Sequence, residues 1–331
     1  MVILTNADGN EIRFLRFSKL DVDLNDTRDF ELVTPASDWN SDLMYGARIF
    51  VPDSEYGGII GGIKTNTSDS SISISGYCWR GILAHHIIEP PSGQAYKAVS
   101  GELNSILRTL ISEAGIGSLF HVSEEDTGVS VTNYQFDRYI TLLDGIVKML
   151  KTKGYRLNIR YIQQERGAPG YVELSAVEII DYSQSIELSQ DQRLNFTFTE
   201  TKNGVNHLVC LGKGELTDRV VVNLYIQQDG TIGTNQYYTG LDEVTQIYEN
   251  TSAENETDLT EKGTEELQKL TSKQTLEMDV ESLGIEVEIG DIVGGRDYIT
   301  GISMAKPVEN KIYTEENGNI SKDYTLEGDE Q

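Results

Sequence analysis

The sequence predicts a mainly β protein of the α+β class, and two patterns support that prediction. In residues 1–89 and 181–305, apolar and polar side chains alternate within short segments, which is typical of strands with one covered face. Between residues 90 and 154 the apolar residues instead recur every three or four positions, as they do in amphipathic helices, and residues 155–180 alternate again as a hairpin does. We therefore expect an α+β domain inserted between two β portions.

The first β portion opens with a predicted hairpin. Residues 2–4 and 12–17 flank Asp8 and Gly9, a pair that tolerates the positive φ angles of a tight hairpin turn. Further strands are predicted at residues 47–51, 59–63 and 71–75. In the last of these, Ser and Ile alternate strictly, so one face of that strand should be exposed to solvent and the other buried.

Two helices and a hairpin are predicted for the inserted domain. One apolar stripe runs from Leu103 to Ala114, with Ser100 as the expected N-cap. A second stripe runs from Phe136 to Leu150, and Gly154 follows it where a C-terminal glycine belongs. Alternating residues then predict strands at 155–161 and 171–180, joined by a turn at 167–170.

The second β portion is predicted to contain an acidic helical insertion near residues 228–282. The insertion should hold a helix at 258–270, begun by a capping box of Asp258 and Glu261. Its apolar stripe is thin, so we expect this helix to lie on the surface. Residues 306–331 are expected to form a polar tail. Strands are predicted at 194–199, 205–211, 219–227, 284–289 and 298–303, and the long polar loops 184–193 and 228–256 are expected at the periphery or at an interface.

Composition excludes several classes of protein. The 331 residues include 53 Asp and Glu against 27 Lys and Arg, a net charge of −26, which argues against a phosphate-gripping nucleic-acid binder. No apolar run is long enough to span a membrane, and the first residues do not resemble a signal peptide, so we expect a cytoplasmic product. Cys78 and Cys210 are expected to be buried free thiols.

No motif predicts a cofactor, a metal ion or a catalytic residue. The four histidines, His85, His86, His121 and His207, lack metal-ligand spacing, and adjacent His85 and His86 on a strand would point to opposite faces. The glycine-rich stretches 57–62, 212–214 and 294–295 lack the spacing of a phosphate-binding loop.

Two alternatives stay open at this point. Glu124, Glu125, Asp126 and Asp291 could supply paired carboxylates for cleavage of a cell-wall glycan, although a chain this rich in acids forms such pairs by chance. Trp39 or Trp79 could instead be a stacking platform of a glycan-binding module, but Trp79, next to Cys78, is expected to be packed inside.

Four segments, in order, resemble the tail-tip (baseplate) hub proteins of siphophages and prophages. In that family a strand ending in Arg-Gly-x-Leu leads to an Ile-x-Pro-Pro-x-Gly connection, and this chain has Arg80-Gly-Ile-Leu83 and Ile88-Glu-Pro-Pro-Ser-Gly93. Residues 133–144 resemble the second helix of the family, residues 206–225 its second β portion, and residues 289–297 its closing strands. The resemblance covers residues 30 to 305.

The resemblance implies a structural protein, not an enzyme: a hub subunit of two tail-tube-like β-barrels that forms a ring, usually a homotrimer. Such a ring continues the tail tube and supports host adsorption, with a distal tail ring protein, a tape-measure protein and a tail fibre or receptor-binding protein as partners. DNA would pass without specific binding, and three copies would carry −78 charges, from three times −26. The resemblance also implies that the protein is part of the virion tail and that the tail is assembled in the host bacterial cytoplasm.

Overall fold

The structure is a computed structural model in which we describe residues 1–164, 168–183, 196–201, 204–253, 255–271, 273–278, 286–296, 300–301 and 303–327. The chain divides into two compact units. Unit 1 contains Met1–Asn195 and Met278–Glu327, and unit 2 contains Phe196–Glu277. Strands outnumber helices in both, so the predicted mainly β, α+β class is confirmed. No helix of the described chain is long and apolar enough to cross a membrane.

The first part of unit 1 is entirely β apart from one short 3₁₀ turn. Its strands are β1 (Ile3–Thr5), β2 (Glu11–Phe14), β3 (Lys19–Asp23), β4 (Asp29–Pro35), β5 (Arg48–Phe50), β6 (Gly57–Ile59), β7 (Gly62–Asn66) and β8 (Ser71–Tyr77). The predicted hairpin is present: β1 pairs antiparallel with β2, and Gly9 takes a φ of 92° at the turn.

The middle part of unit 1 mixes helices and strands, as predicted. It consists of α1 (Trp79–Ala84), β9 (Ala98–Glu102), α2 (Leu103–Glu113), β10 (Phe120–Val122), β11 (Ser130–Gln135), α3 (Leu142–Lys151), β12 (Tyr155–Ile162) and β13 (Tyr171–Glu178). Helices α2 and α3 bury their apolar stripes in one core with the sheet β10-β13-β12. The turn predicted at 167–170 begins outside the described residues.

Both predicted helix starts in this part were wrong. The N-cap of α2 is Glu102, whereas Ser100 lies inside β9. Helix α3 starts at Leu142, capped by Thr141, although the apolar period continues back to Phe136. Phe136 is buried in the same core from the loop before α3, so its period reflects core packing and not helical structure.

Unit 2 is a sheet covered by one helix. Its elements are β14 (Phe196–Thr201), β15 (His207–Leu211), β16 (Val221–Ile226), β17 (Ile232–Gly233), β18 (Thr245–Glu249), α4 (Glu256–Leu270) and β19 (Lys273–Met278). Strand β14 pairs with β19, and the other four form a sheet in the order β17-β16-β15-β18. The start of the strand predicted at 194–199 and the whole loop 184–193 lie outside the described residues.

Helix α4 begins differently from its prediction. Its N-cap is Asn255, whose side chain accepts the N–H of Asp258, in place of a capping box begun by Asp258. The helix lies on the surface of unit 2, as expected: Leu259 and Leu267 are buried against the sheet, whereas the other side chains are exposed or half-buried.

The polar tail predicted at 306–331 is wrong for residues 306–326. After β20 (Ile292–Arg296), strands β21 (Ser303–Glu316) and β22 (Asn319–Leu326) form a long hairpin. Residues 286–291 are not a strand, against the prediction for 284–289, of which 284 and 285 lie outside the described residues. Of the strand predicted at 298–303, residues 298, 299 and 302 lie outside the described residues, residues 300–301 are not a strand, and Ser303 begins β21.

Candidate functional surface

One large sheet of unit 1 has a covered face and an open face. Its strands follow the order β20-β21-β3-β4-β8-β7, and β22 pairs with β21. Because side chains alternate along a strand, every second residue points to the same face. The covered face contributes to a core through Leu20, Val22, Phe30, Leu32, Ile72, Ile74 and Tyr313.

The residues between these form the open face, which we call the polar face. They are half-buried or exposed, and small or acidic side chains predominate. Six acids stand against two lysines, so the face has a negative charge. The polar face includes Lys19, Asp21, Asp23, Asp29, Glu31, Val33, Lys64, Ser71, Ser73, Ser75, Tyr77, Ile312, Thr314, Glu316, Asn319, Ser321 and Asp323.

A lysine holds the acids at the centre of the polar face together. Asp21 lies directly opposite Glu31 in the ladder, an arrangement of like charges that destabilises a sheet. Lys19 offsets this repulsion, because its Nζ lies 2.7 Å from Asp21 Oδ2. The hydrogen bond to Asp21 and the nearby charges of Glu316 and Glu31 raise the pKa of Lys19. Thr314 adds a hydrogen bond by donating to Asp21 Oδ1 at 2.8 Å.

Strand β21 completes the polar face, and a buried cation fixes the strand in place. Lys311 is 1% exposed, and its Nζ donates to Val287 O and to Glu288 Oε2, both at 3.1 Å. Burial raises the pKa of Glu288, while Lys311 opposes that rise. Tyr56 stacks on Tyr313 of β21 with ring centroids 4.2 Å apart. These contacts tie residues of the first β portion to the C-terminal hairpin.

The acids considered for catalysis have separate structural partners. Asp291 is 1% exposed and accepts hydrogen bonds from Arg156 Nε at 2.8 Å, Ile180 N at 3.0 Å and Glu288 N at 3.1 Å. Its oxygens are therefore occupied by a buried ion pair and by main-chain donors.

Glu124, Glu125 and Asp126 lie in the exposed loop between β10 and β11. Glu124 pairs with Arg108 at 3.3 Å, and Asp126 Oδ1 accepts the N–H of Gly128 at 2.7 Å. Within the described chain, these acids share no hydrogen-bond partner with Asp291.

The histidines predicted to lie on a strand instead follow a helix. His85 is the C-cap of α1, and the Nδ1 atoms of His85 and His86 bond to the carbonyls of Gly81 and Ile82, each four residues back. Strand β8 ends at Tyr77 and α1 begins at Trp79, so His85 and His86 follow a helix and not a strand. Among the residues that the structure describes, no group of three or more His, Cys, Asp or Glu could hold a metal ion.

The tryptophans and cysteines are placed largely as expected. Trp79 is 1% exposed, which confirms that it is packed, whereas Trp39 is 40% exposed. Cys78 and Cys210 are buried free thiols, also as predicted.

The glycine-rich stretch 57–62 serves close packing of strands. A Cβ on Gly58 would lie 2.2 Å from the carbonyl oxygen of Tyr77, so only glycine fits there.

The C-terminal hairpin is the feature that the sequence analysis missed, and a local signal for it exists. Asn317 and Gly318 have φ angles of 51° and 83°, the two positive values of a tight hairpin turn. β-Branched and aromatic residues lie on both sides of this Asn-Gly pair, Ile312, Tyr313 and Thr314 before it and Ile320, Tyr324 and Thr325 after it. The pairing of β21 with β3, which creates the polar face, has no local signal, because the two strands lie far apart in the sequence.

No protein-family model matches this sequence, and no curated protein sequence matches it. Solved structures do resemble it. The 43 kDa tail protein of prophage MuSo2 from Shewanella oneidensis has a TM-score of 0.51 at 14% identity, over 98% of this chain and 96% of that one. A tail protein from Neisseria meningitidis MC58 has a TM-score of 0.48 at 14% identity, over 98% and 95%.

A chain of the phage P2 baseplate in its activated conformation with Ca has a TM-score of 0.45 at 10% identity, over 100% of this chain and 99% of that one. The fold comparison rests on the Shewanella protein. Along nearly its whole length, the chain has the fold of a prophage tail protein. At this identity the likeness concerns the fold.

Proposed function

We propose that this protein is a structural subunit of a phage or prophage tail, and specifically a hub subunit. Several copies, three in our proposal, form a ring that continues the tail tube and supports host adsorption. The polar face lines the bore, and DNA passes along it without being bound. The observation that carries this proposal is the uncovered, acid-rich face of a broad sheet in a chain with the fold of a prophage tail protein.

The chemistry of the polar face suits passage better than binding. DNA-binding surfaces present Lys and Arg to phosphates, whereas this face presents Asp21, Glu31 and Glu316 around a single central lysine. An acidic wall repels phosphates within about 8 Å at physiological salt. Ser71, Ser73 and Ser75 of β8 extend the surface with small polar side chains, and the one aromatic ring of that strand on this face, Tyr77, lies at its end.

The partners in this proposal are those of a tail-tip ring: a distal tail ring protein, a tape-measure protein, and a tail fibre or receptor-binding protein. Assembly takes place in the host bacterial cytoplasm, and the product is part of the virion tail. The contacts of Asp291, Glu124 and Asp126 support a non-enzymatic role, because a structural interaction accounts for each of these acids.

Oligomer size tests the ring. Native mass spectrometry and light scattering of the full chain should show a trimer, or a rise toward a trimer with concentration. A chain that stays monomeric at every concentration, alone and with a neighbouring tail protein, contradicts the proposal.

Charge reversal tests the polar face. In the double variant Asp21→Lys and Glu31→Lys, the assembled protein should retain short duplex DNA at low salt and release it as salt rises, whereas the unaltered protein retains none. The matched control is Glu124→Lys with Glu125→Lys, which makes the same change of charge in an exposed loop away from this face. Equal DNA binding by both double variants would refute the assignment of the polar face to the bore.

A further inference from the structure

Helix α4 covers one face of the four-stranded sheet in unit 2 and leaves the other face open. On the covered face, Cys210 and Leu224 pack with Leu259 and Leu267. The opposite face, which we call the uncovered face, presents Val209, Leu211, Val221 and Ile247. Val221 is 45% exposed and Ile247 is 62% exposed.

Strand β18 is the outermost strand on one side of this sheet, and it pairs in parallel with β15. The main-chain oxygen of Val244 accepts the N–H of His207, and Asn250 N donates to Leu211 O. Because inward and outward main-chain groups alternate along a strand, the N–H and C=O groups of Thr245, Ile247 and Glu249 point away from β15. In the described chain no main-chain partner occupies this edge.

The same three residues place their side chains on the uncovered face, so the edge offers hydrogen bonds and an apolar contact together. Acids stand at both ends of the strand, where Asp242 and Glu243 precede it and Glu249 ends it. Glu243 contacts His207 at 2.7 Å, and Glu249 contacts Arg219 at 3.3 Å with a side chain that is still 61% exposed. Natural edge strands are often protected by lysine, proline or a bulge, and β18 has none of these.

Charge identifies the kind of partner. Residues 196–277 contain 14 Asp and Glu against 6 Lys and Arg, a net charge of −8, and the whole chain carries −26. A second copy would bring further negative charge to an edge already flanked by acids, which disfavours it. A segment with Lys or Arg at both ends and β-branched residues between them fits the acids and Ile247 at the same time.

We propose that the open edge of β18 binds an extended segment of a different protein, which adds a strand to this sheet. The segment is about five to seven residues long, alternates apolar and polar side chains, and carries a basic residue near each end. Main-chain hydrogen bonds to Thr245, Ile247 and Glu249 provide the attachment, and Ile247 with the flanking acids provides the selectivity. This inference concerns unit 2 and does not depend on the ring or on the polar face.

The test uses the full chain and two capped, fluorescent heptapeptides of alternating Val and Thr, one with Lys at both ends and one with Glu at both ends. Fluorescence anisotropy should show saturable binding of the Lys-ended peptide only. The variant Ile247→Pro removes an outward N–H but none of the bonds to β15, and it should weaken binding about tenfold or more. Ile247→Val keeps both the N–H and an apolar side chain and is the matched control.

A second variant guards against a folding defect. Glu249→Lys changes an exposed side chain. It should weaken binding of the Lys-ended peptide and strengthen binding of the Glu-ended peptide. Equal binding of both peptides, binding of neither, or undiminished binding by Ile247→Pro overturns the proposal. Self-association of the chain that Ile247→Pro abolishes would show that a second copy occupies the edge, which overturns our choice of partner.

Discussion

Glu102 is an unusual helix cap whose charge should contribute measurably to stability. Its carboxylate accepts hydrogen bonds from Asn104 N at 2.9 Å and Ser105 N at 2.7 Å, at the start of α2. It also accepts from Thr127 N at 3.1 Å and Thr127 Oγ1 at 2.8 Å, which ties the loop before β11 to the helix. Burial raises the pKa of Glu102, but these hydrogen bonds outweigh it and lower the pKa from 4.5 to about 2.

The perturbation is Glu102→Gln, which removes the charge and turns one acceptor into a donor. Without solvent screening, the difference between the two pKa values corresponds to about 3 kcal/mol of stability. Solvent screening at this half-exposed site reduces the expected loss to about 1–2 kcal/mol near neutral pH, similar to the loss of an N-cap. Because the pKa of Glu102 is lower in the folded state, its stabilising effect is complete above pH 4.5 and disappears as the pH falls toward about 2.

Urea unfolding followed by tryptophan fluorescence can measure this effect, since both tryptophans, Trp39 and Trp79, lie in unit 1. The gap in unfolding free energy between the unaltered protein and Glu102→Gln should be largest near neutral pH and should narrow at acidic pH. Glu125→Gln is the control, because it removes an equal charge from an exposed loop and should change stability little. A gap that is absent near neutral pH, or that does not narrow on acidification, would refute the reasoning.

Three further predictions concern buried groups. Lys311→Met should destabilise unit 1 by about 2–4 kcal/mol in urea unfolding, because Glu288 loses its counter-charge. Adding Glu288→Gln should recover most of the lost stability, and no recovery would show that the ion pair is not the cause. Gly263→Ala should destabilise unit 2 by about 1–2 kcal/mol despite the better helix propensity of alanine, because the new Cβ would lie 2.5 Å from Cys210 Sγ. Cys210 should then be alkylated faster in the native state, and an unchanged alkylation rate would contradict this prediction. Burial raises the pKa of Cys78 to about 12 and of Cys210 to about 11, so both thiols should resist alkylation near neutral pH until the protein is unfolded in urea; rapid labelling of the folded chain would count against this.

Local patterns predicted much of the secondary structure of residues 90–180 but not where its helices begin. Apolar residues recur with a period of about 3.6 in α2 and of 2 in β12 and β13. Such periods are visible in the sequence wherever one face of a helix or strand is buried. The start of α3 was misplaced because Phe136 continues the apolar period from a loop. Tyr139, with a φ of 57°, shows that the backbone there is not helical.

Long-range pairing produced the larger surprises. The Asn317–Gly318 turn is visible in the sequence, yet the hairpin around it could be placed only when β21 was seen beside β3. Strand pairing depends on which edges are free after the rest of the chain has folded, and residues near in sequence carry little information about that. Likewise, the thin stripe of α4 gave no indication that Gly263 allows a close approach to the sheet.

By itself, the sequence determined the class of the fold, the acidity of the chain, the burial of Cys78, Cys210 and Trp79, and the resemblance to tail proteins, because composition and local periodicity are properties of the covalent chain. Only the tertiary structure decided that Asp21 and Glu31 share one open face with Glu316, and that no described strand pairs with the outer edge of β18. The physical reason is that a charged surface and an open edge are created by strands from distant parts of the chain, whose register is set by the core beneath them.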